Sequence, residues 1–197
     1  MPLLLPEPFL YPSDLFEGGD FQPESGSWWA LHTRPRAEKC LARRLFRSGI
    51  TFFLPTYRRQ WRSRGQVLRS YLPLFPGYIF VLGDFQAVRG TGASRLIANY
   101  LRVVDQQQLY CDLKRIQCLI ASGTTLEPQR RLAPGMWVEV TSGPLTGLTG
   151  KIIRCGKQER FLVEVQFLHQ GVLADLEGET IQPVDGTRSG SPRESLC

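Results

Sequence analysis

The densest concentration of side chains suited to a chemical task lies between Tyr57 and Tyr71, where Arg58, Arg59, Arg62, Arg64 and Arg69 alternate with Tyr57, Trp61 and Tyr71. Guanidinium groups neutralise phosphates and flat rings stack on bases, so the combination fits single-stranded nucleic acid. Residues 28–75 hold eleven Lys or Arg against the single acid Glu38, whereas residues 1–27 hold five acids and no base. The whole-chain charge of +6 is therefore concentrated in one stretch, where a polyanion partner is expected. Arg58, Arg59, Trp61, Arg62, Arg64 and Arg69 are the expected nucleic-acid contacts, mainly to phosphates. A solvated loop is the plain alternative, but five arginines with almost no counter-charge weigh against it.

Other groups offer less. Gly143 to Lys151 invites comparison with a phosphate-binding loop, but the first required glycine falls on Leu145, and Ile152 replaces the magnesium-holding hydroxyl. What is left is a glycine-rich turn between strands, allowing positive φ and close backbone approach. The five cysteines, at 40, 111, 118, 155 and 197, form no Cys-x-x-Cys pair and share no ligand spacing with His32 or His169. They read as small buried apolar residues in a reducing cytoplasm. No hydrolase or zinc-protease pattern is present. The reading is of a binding protein, with no catalytic residues, no cofactor and no metal.

The elements that must carry these residues follow from periodicity and punctuation. Residues 1–27 mix Pro, Gly, Ser and acids and are expected to be a flexible acidic leader. Trp28 to His32 reads as a strand, Thr33 as the N-cap of a helix running to Ser48, and Ile50 to Leu54 as a short strand. The arginine-rich stretch reads as a hairpin around Ser63-Arg64-Gly65-Gln66. Tyr78–Leu82 is a strand, Phe85–Arg89 a short helix, Tyr100–Asp105 a strand and Leu109–Ala121 a helix. The outline β-α-β-β-α-β describes an α+β, ferredoxin-like sandwich over 28–121. Residues 122–133 read as a linker. Short strand-like runs at 136–141, 150–154, 161–168 and 171–174 within 134–184 describe a small β-barrel, with 185–197 as a disordered tail.

Four blocks of the first domain carry a family likeness: Trp28-Trp29, Thr33-Arg34-Pro35-Arg36-Ala37-Glu38-Lys39, Phe53-Leu54-Pro55 and Pro73-Leu74-Phe75-Pro76-Gly77-Tyr78-Ile79-Phe80-Val81. In order and spacing they resemble the N-terminal domain of the NusG family of transcription elongation factors. Val88-Arg89-Gly90-Thr91-Gly92-Ala93 is similar to that domain's Val-Arg-Ser-Thr-x-Gly stretch with a shifted glycine, and Val138 to Ile153 resembles a KOW motif on an SH3-like barrel. Leu168-His169-Gln170-Gly171-Val172 departs from the family's Phe-Gly-Arg stretch, and this departure and the leader point to a specialised, RfaH-like paralogue.

The resemblance implies a regulator that binds the clamp helices of the largest RNA polymerase subunits and promotes processivity or antitermination. Period-two geometry puts Tyr78 and Phe80 on one face of their strand and Ile79 and Val81 on the other. Phe75, Pro76, Tyr78 and Phe80 are accordingly expected at the clamp-helix surface, outside the core. Arg89, Thr91 and Ser94 are the expected contacts to the opposite side of the polymerase cleft. Non-template DNA or nascent RNA is the implied nucleic acid. The KOW domain would recruit a ribosomal protein or a termination factor through Phe167, Leu168 and Val172. The chain is expected to be a cytoplasmic monomer with no membrane partner, since no apolar run approaches the roughly 20 residues of a membrane span. The alternative is an RNA-binding, ribosome-associated KOW protein.

Overall fold

A computed structural model of the chain describes residues 8–18, 21, 26–63, 65–90, 92–130, 134–155, 158–176 and 180–184. It divides into two units, Met1–Gln107 and Gln108–Cys197, each with its own sheet and interior. The architecture is mixed α/β with sheet predominating.

The first unit is built on a five-stranded antiparallel sheet of order β1-β3-β6-β2-β7, formed by β1 (Leu10–Tyr11), β2 (Ser27–Thr33), β3 (Thr51–Phe53), β6 (Tyr78–Gly83) and β7 (Ile97–Arg102). The two central strands are apolar on both sides. In β2, Trp28 and Ala30 alternate with Leu31 and the half-buried Trp29; in β6, Phe80 alternates with Ile79 and Val81. Cross-strand register places Phe53, Phe80, Ala30 and Leu101 on one face and Phe52, Val81 and Trp29 on the other. Helix α1 (Glu38–Arg47) covers the second face: Leu41, Ala42 and Leu45 pack with Leu31, Phe52, Ile79 and Val81. Its i, i+4 spacing of Leu41 and Leu45 is the apolar stripe that the pattern requires. The short helix α2 (Phe85–Gly90) adds Val88 to the same cluster.

Three expectations are corrected here. Thr33 does not cap α1; it remains in β2, only 2% exposed, and Arg36 turns the chain at φ 61° before the helix starts after Ala37. The leader is not wholly flexible. Leu10 and Tyr11 pair with Phe53 and Phe52, the Leu54 amide donates to the Phe9 carbonyl at 2.6 Å, and the Tyr11 ring meets Phe46 edge-on. Phe16 then lies between Trp28, stacked at 6.2 Å, and Phe53 at 5.1 Å. Burying one Phe stabilises by about 1.5–3 kcal/mol, which outweighs a composition of acids and prolines that would otherwise favour disorder. Finally, β7 begins three residues before the expected Tyr100, and Val104 stands in the following turn 92% exposed.

Between β3 and β6 the chain leaves the sheet as a separate two-stranded ribbon, β4 (Thr56–Ser63) with β5 (Gln66–Pro73). The left-handed Gly65, φ 77°, makes the tight reversal at its tip.

The second unit takes in most of α3 (Gln106–Ala121) and a six-stranded antiparallel sheet of order β13-β9-β10-β11-β12-β8. Its strands are β8 (Leu126–Gln129), β9 (Met136–Val140), β10 (Thr149–Cys155), β11 (Gln158–Val165), β12 (Gln170–Ala174) and β13 (Ile181–Pro183). Part of the stretch expected to be linker is therefore a strand: Leu126–Gln129 pairs with Ala174–Gly171. Leu126 in this strand is buried, and the Glu127 carboxylate pairs with Arg160 at 2.5 Å. Val138, Val140, Phe161, Val163, Val165, Val172 and Ala174 are buried on one face of the sheet, while Ile153, Leu162 and Leu173 form a second buried cluster on the other.

Candidate functional site

The hairpin's register sorts its side chains. Arg58 faces Tyr71, Gln60 faces Arg69 and Arg62 faces Val67, so three arginines and one tyrosine share a face. The other face carries Arg59 with Trp61 and Leu68. Arg58, Arg59, Arg62, Arg69, Trp61 and Tyr71 are all exposed, Trp61 at 41% and Tyr71 at 57%. A ribbon that leaves its sheet and displays rings and guanidinium groups on solvent-facing strands can neutralise phosphates along one side and stack bases. Arg64 lies outside the described residues.

The aromatic strand is arranged differently from the sequence expectation. Phe80 is 0% exposed and Phe75 1% exposed, and their rings meet edge to face at 6.1 Å. Both belong to the interior and are not a surface. Period two correctly separates Tyr78 and Phe80 from Ile79 and Val81, but Phe80 is buried as well: its ring meets Phe75, and Phe16 of the leader packs on Trp28 and Phe53 of the same face. Only the end of this face reaches solvent. There Pro76 is exposed and Tyr78 half-buried, with the exposed His32 ring 5.1 Å away. The left-handed Gly77, φ 85°, shapes this corner, and its amide donates to the Glu38 carboxylate at 2.8 Å. Arg89 is exposed in the last turn of α2 and Ser94 in the 3-10 turn Ala93–Leu96 that follows, while Thr91 lies outside the described residues.

In the second unit, the glycine-rich turn joins β9 to β10. Gly143 and Gly147 have φ of 87° and 84°, and the Gly147 amide closes the turn on the Val140 carbonyl at 2.8 Å. Gly150 answers a different need: a Cβ there would sit 2.5 Å from the Phe161 ring. Both uses of glycine expected from the sequence are present. Leu145 and Leu148 of the turn point inward, 3% and 7% exposed. Of the expected partner surface, Phe167 and Leu168 are half-buried in a single 3-10 turn, but Val172 is 0% exposed and is corrected to a core position. The cysteine reading is also corrected, since Cys40 and Cys118 are exposed.

One buried polar cluster has no counterpart in the sequence reading. Asp112 is 0% exposed on α3, and its carboxylate pairs with Arg115 at 2.5 Å and accepts from the Gln108 amide and from the Gln166 backbone N–H at 3.0 Å. Burial pushes its pKa up to about 6, against the lowering effects of Arg115 and the hydrogen bonds. The sequence does carry a signal for it: an acid inside the apolar stripe of Leu109, Leu113 and Ile116, with a base three residues on. Among the described residues no group of three or more His, Cys, Asp or Glu could hold a metal, and no helix is long and apolar enough to cross a membrane.

Residues 26–109, spanning β2 to the start of α3 and so including the hairpin and the aromatic strand, match the family model described as "Transcription termination factor nusG". The match covers 84 of the 197 residues, so the similarity is to this one stretch of the chain. No curated protein matches the chain. Among solved structures it is similar to that described as "Domain interaction in Thermotoga maritima NusG", at 16% identity and TM-score 0.41, covering 75% of this chain and 92% of the other. It is also similar to "Crystal Structure of MjSpt4:Spt5 complex conformation B", at 18% identity and TM-score 0.25, covering 80% and 97%. These overall superpositions are loose, and it is the family match that bears on function. Within residues 26–109, exposed side chains include those of the hairpin, Pro76, the outer side of α1 and the segment after α2.

Proposed function

We propose that this chain is a transcription elongation regulator of the NusG type, in which a ferredoxin-like N-terminal domain binds RNA polymerase and a KOW barrel recruits a second factor. The match of residues 26–109 to the NusG model carries this reading. The glycine-rich strand–turn–strand that follows it in the chain is the supporting feature. The chemistry is binding: a factor that bridges the two sides of the polymerase cleft holds the clamp closed and disfavours pausing, which is processivity or antitermination.

Because Phe75 and Phe80 are interior, the clamp-helix contact on this reading falls to the rim made by Pro76 and Tyr78, with His32 beside them. Arg89 and Ser94 serve the opposite side. The hairpin takes non-template DNA or nascent RNA along the face of Arg58, Arg62, Arg69 and Tyr71. A ribosomal protein or a termination factor is the KOW partner, met through Phe167 and Leu168. The leader strand Leu10–Tyr11 added to the sheet favours a specialised member of the family, acting in the cytoplasm.

The test is a polymerase pull-down with the full chain, followed by pause assays on defined templates. Polymerase co-purifies and pausing is shortened if the reading is right; co-purification with ribosomes and no effect on pausing sinks it. Neutralising Arg58, Arg62 and Arg69 together should lower the salt slope of binding to single-stranded nucleic acid by about 2, at roughly 0.7 for each phosphate that no longer meets an arginine.

A further inference from the structure

The ribbon has edges as well as faces, and one of them is unguarded. β4 and β5 form a sheet of two strands, so the outer side of each has no neighbour within it. An open edge presents backbone N–H and C=O groups to any extended chain, and proteins usually blunt it with short strands, proline, charge or a bulge. The edge strands of the second unit follow that rule: β8 has four residues and contains Pro128, and β13 has three and contains Pro183. β4 is guarded by Arg58, Arg59 and Arg62. β5 is the exception. It runs for eight residues in unbroken register with β4, its only proline is the last residue and its only charge is Arg69. Among the described residues, the backbone of 67–71 makes no hydrogen bond beyond its ladder to β4. Val67, Leu68 and Tyr71 are 46%, 39% and 57% exposed along this one strand.

We propose that the outer edge of β5 is a docking site for an extended protein segment, which adds to the ribbon as a third strand. An isolated two-stranded hairpin is marginally stable in water, and a third strand gains main-chain hydrogen bonds while alternate side chains set specificity. The chemistry of the occupant follows from the strand. On the face shared by Val67, Arg69 and Tyr71 the guanidinium stands between two exposed apolar groups, at a spacing of about 7 Å per alternate residue. The matching segment therefore carries an acid with an apolar residue two positions away on each side. Leu68 and Ser70 on the other face accept small or apolar neighbours. A second copy of β5 is the wrong partner: residues 56–73 hold five arginines and no acid, so pairing two ribbons sets like charges together. Nucleic acid has no peptide backbone to continue the ladder; its seat is the face of the ribbon, whereas this site is the edge.

The experiment measures the fluorescence anisotropy of a labelled peptide, Thr-Val-Thr-Asp-Thr-Val-Thr, titrated with the full chain. Three further arms accompany it: the same peptide with Lys for Asp, the same peptide with every internal amide N-methylated, and a 20-nucleotide single DNA strand. The parent protein should bind the Asp peptide about tenfold more tightly than the Lys peptide, since an opposite-charge pair is exchanged for a like-charge one. N-methylation, which keeps the side chains and removes the ladder donors, should abolish binding. The variant Arg69→Asp should reverse the order and favour the Lys peptide, and Val67→Ser/Tyr71→Ser should weaken both. If a variant misfolds, as judged by circular dichroism, the parent's preference between the peptides still decides. Equal binding of the Asp and Lys peptides overturns the proposal, as does undiminished binding of the N-methylated peptide or no binding of the Asp peptide at all. An Arg69→Asp variant that loses the single strand but keeps the parent's peptide preference assigns Arg69 to nucleic acid alone and also overturns it. So does a chain that sediments as a dimer which the Asp peptide does not dissociate, because the edge then belongs to a second copy. None of these outcomes depends on polymerase, so they separate this edge from the function proposed above.

Discussion

Replacing Phe80 by Ala tests whether the aromatic strand is core or surface. Phe80 is 0% exposed on the middle strand of its sheet, between Phe53 on one side and Ala30 on the other, with Phe75 edge-on above it. Truncation removes a whole ring from a packed interior, at a cost of about 3–5 kcal/mol of folding stability. An aromatic edge-to-face pair contributes about 0.5–1.5 kcal/mol beyond the area it buries. Phe75→Ala and Phe80→Ala should therefore be non-additive by about that much in a double-mutant cycle. Tyr78 is the internal control, because it lies on the same face two residues away but is half-buried. Its loss should cost clearly less stability while weakening polymerase recruitment. The assay is urea unfolding of the full chain and its single and double variants, in parallel with polymerase pull-down. For a domain with about 5–15 kcal/mol in hand, the Phe80 loss removes a large share and is readily measured. A Phe80→Ala protein that unfolds at the parent's urea midpoint but no longer binds polymerase would refute the interior placement.

The remaining predictions concern other parts of the chain. Because burial raises the folded pKa of Asp112 from 3.8 to about 6, its contribution to stability is fully present below the unfolded value and is lost as pH rises through 6. The stability difference between parent and Asp112→Asn should therefore change by about 2 kcal/mol between pH 4.5 and pH 7, and a flat difference in urea titrations would remove the basis for the shift. Gly150→Ala places a Cβ 2.5 Å from the Phe161 ring and 2.7 Å from the Leu162 carbonyl, so thermal unfolding should show a loss of about 1–3 kcal/mol; a neutral substitution would mean that β10 and β11 do not approach so closely. Phe16→Ala should cost about 1.5–3 kcal/mol and shift tryptophan emission to the red as Trp28 gains water, and an unaltered spectrum would detach the leader from the sheet.

What the chain's primary structure determined by itself was local. The hairpin, its turn and its exposed arginines follow from Gly65 and from alternating types along Tyr57–Tyr71. The apolar stripe of α1 and the two uses of glycine between β9 and β10 follow from spacing in the same way. These depend on neighbours within a few residues, where periodicity and steric rules act directly. Tertiary structure decided whatever depended on distant partners. Alternation in Tyr78–Val81 established that β6 has two faces, but whether the Phe80 face meets solvent depended on what distant parts of the chain lay over it, such as Phe16 on Trp28 and Phe53 of the same face, which no pattern around β6 encodes. Leu126–Gln129 became a strand because β12 had an open edge to pair with, not because of its own propensity. Glu38 looked like the lone counter-charge of a basic segment until the fold brought the Gly77 amide to its carboxylate and turned it away from solvent. Burial is a property of what the rest of the chain brings, and a linear pattern specifies only that a face exists to be covered.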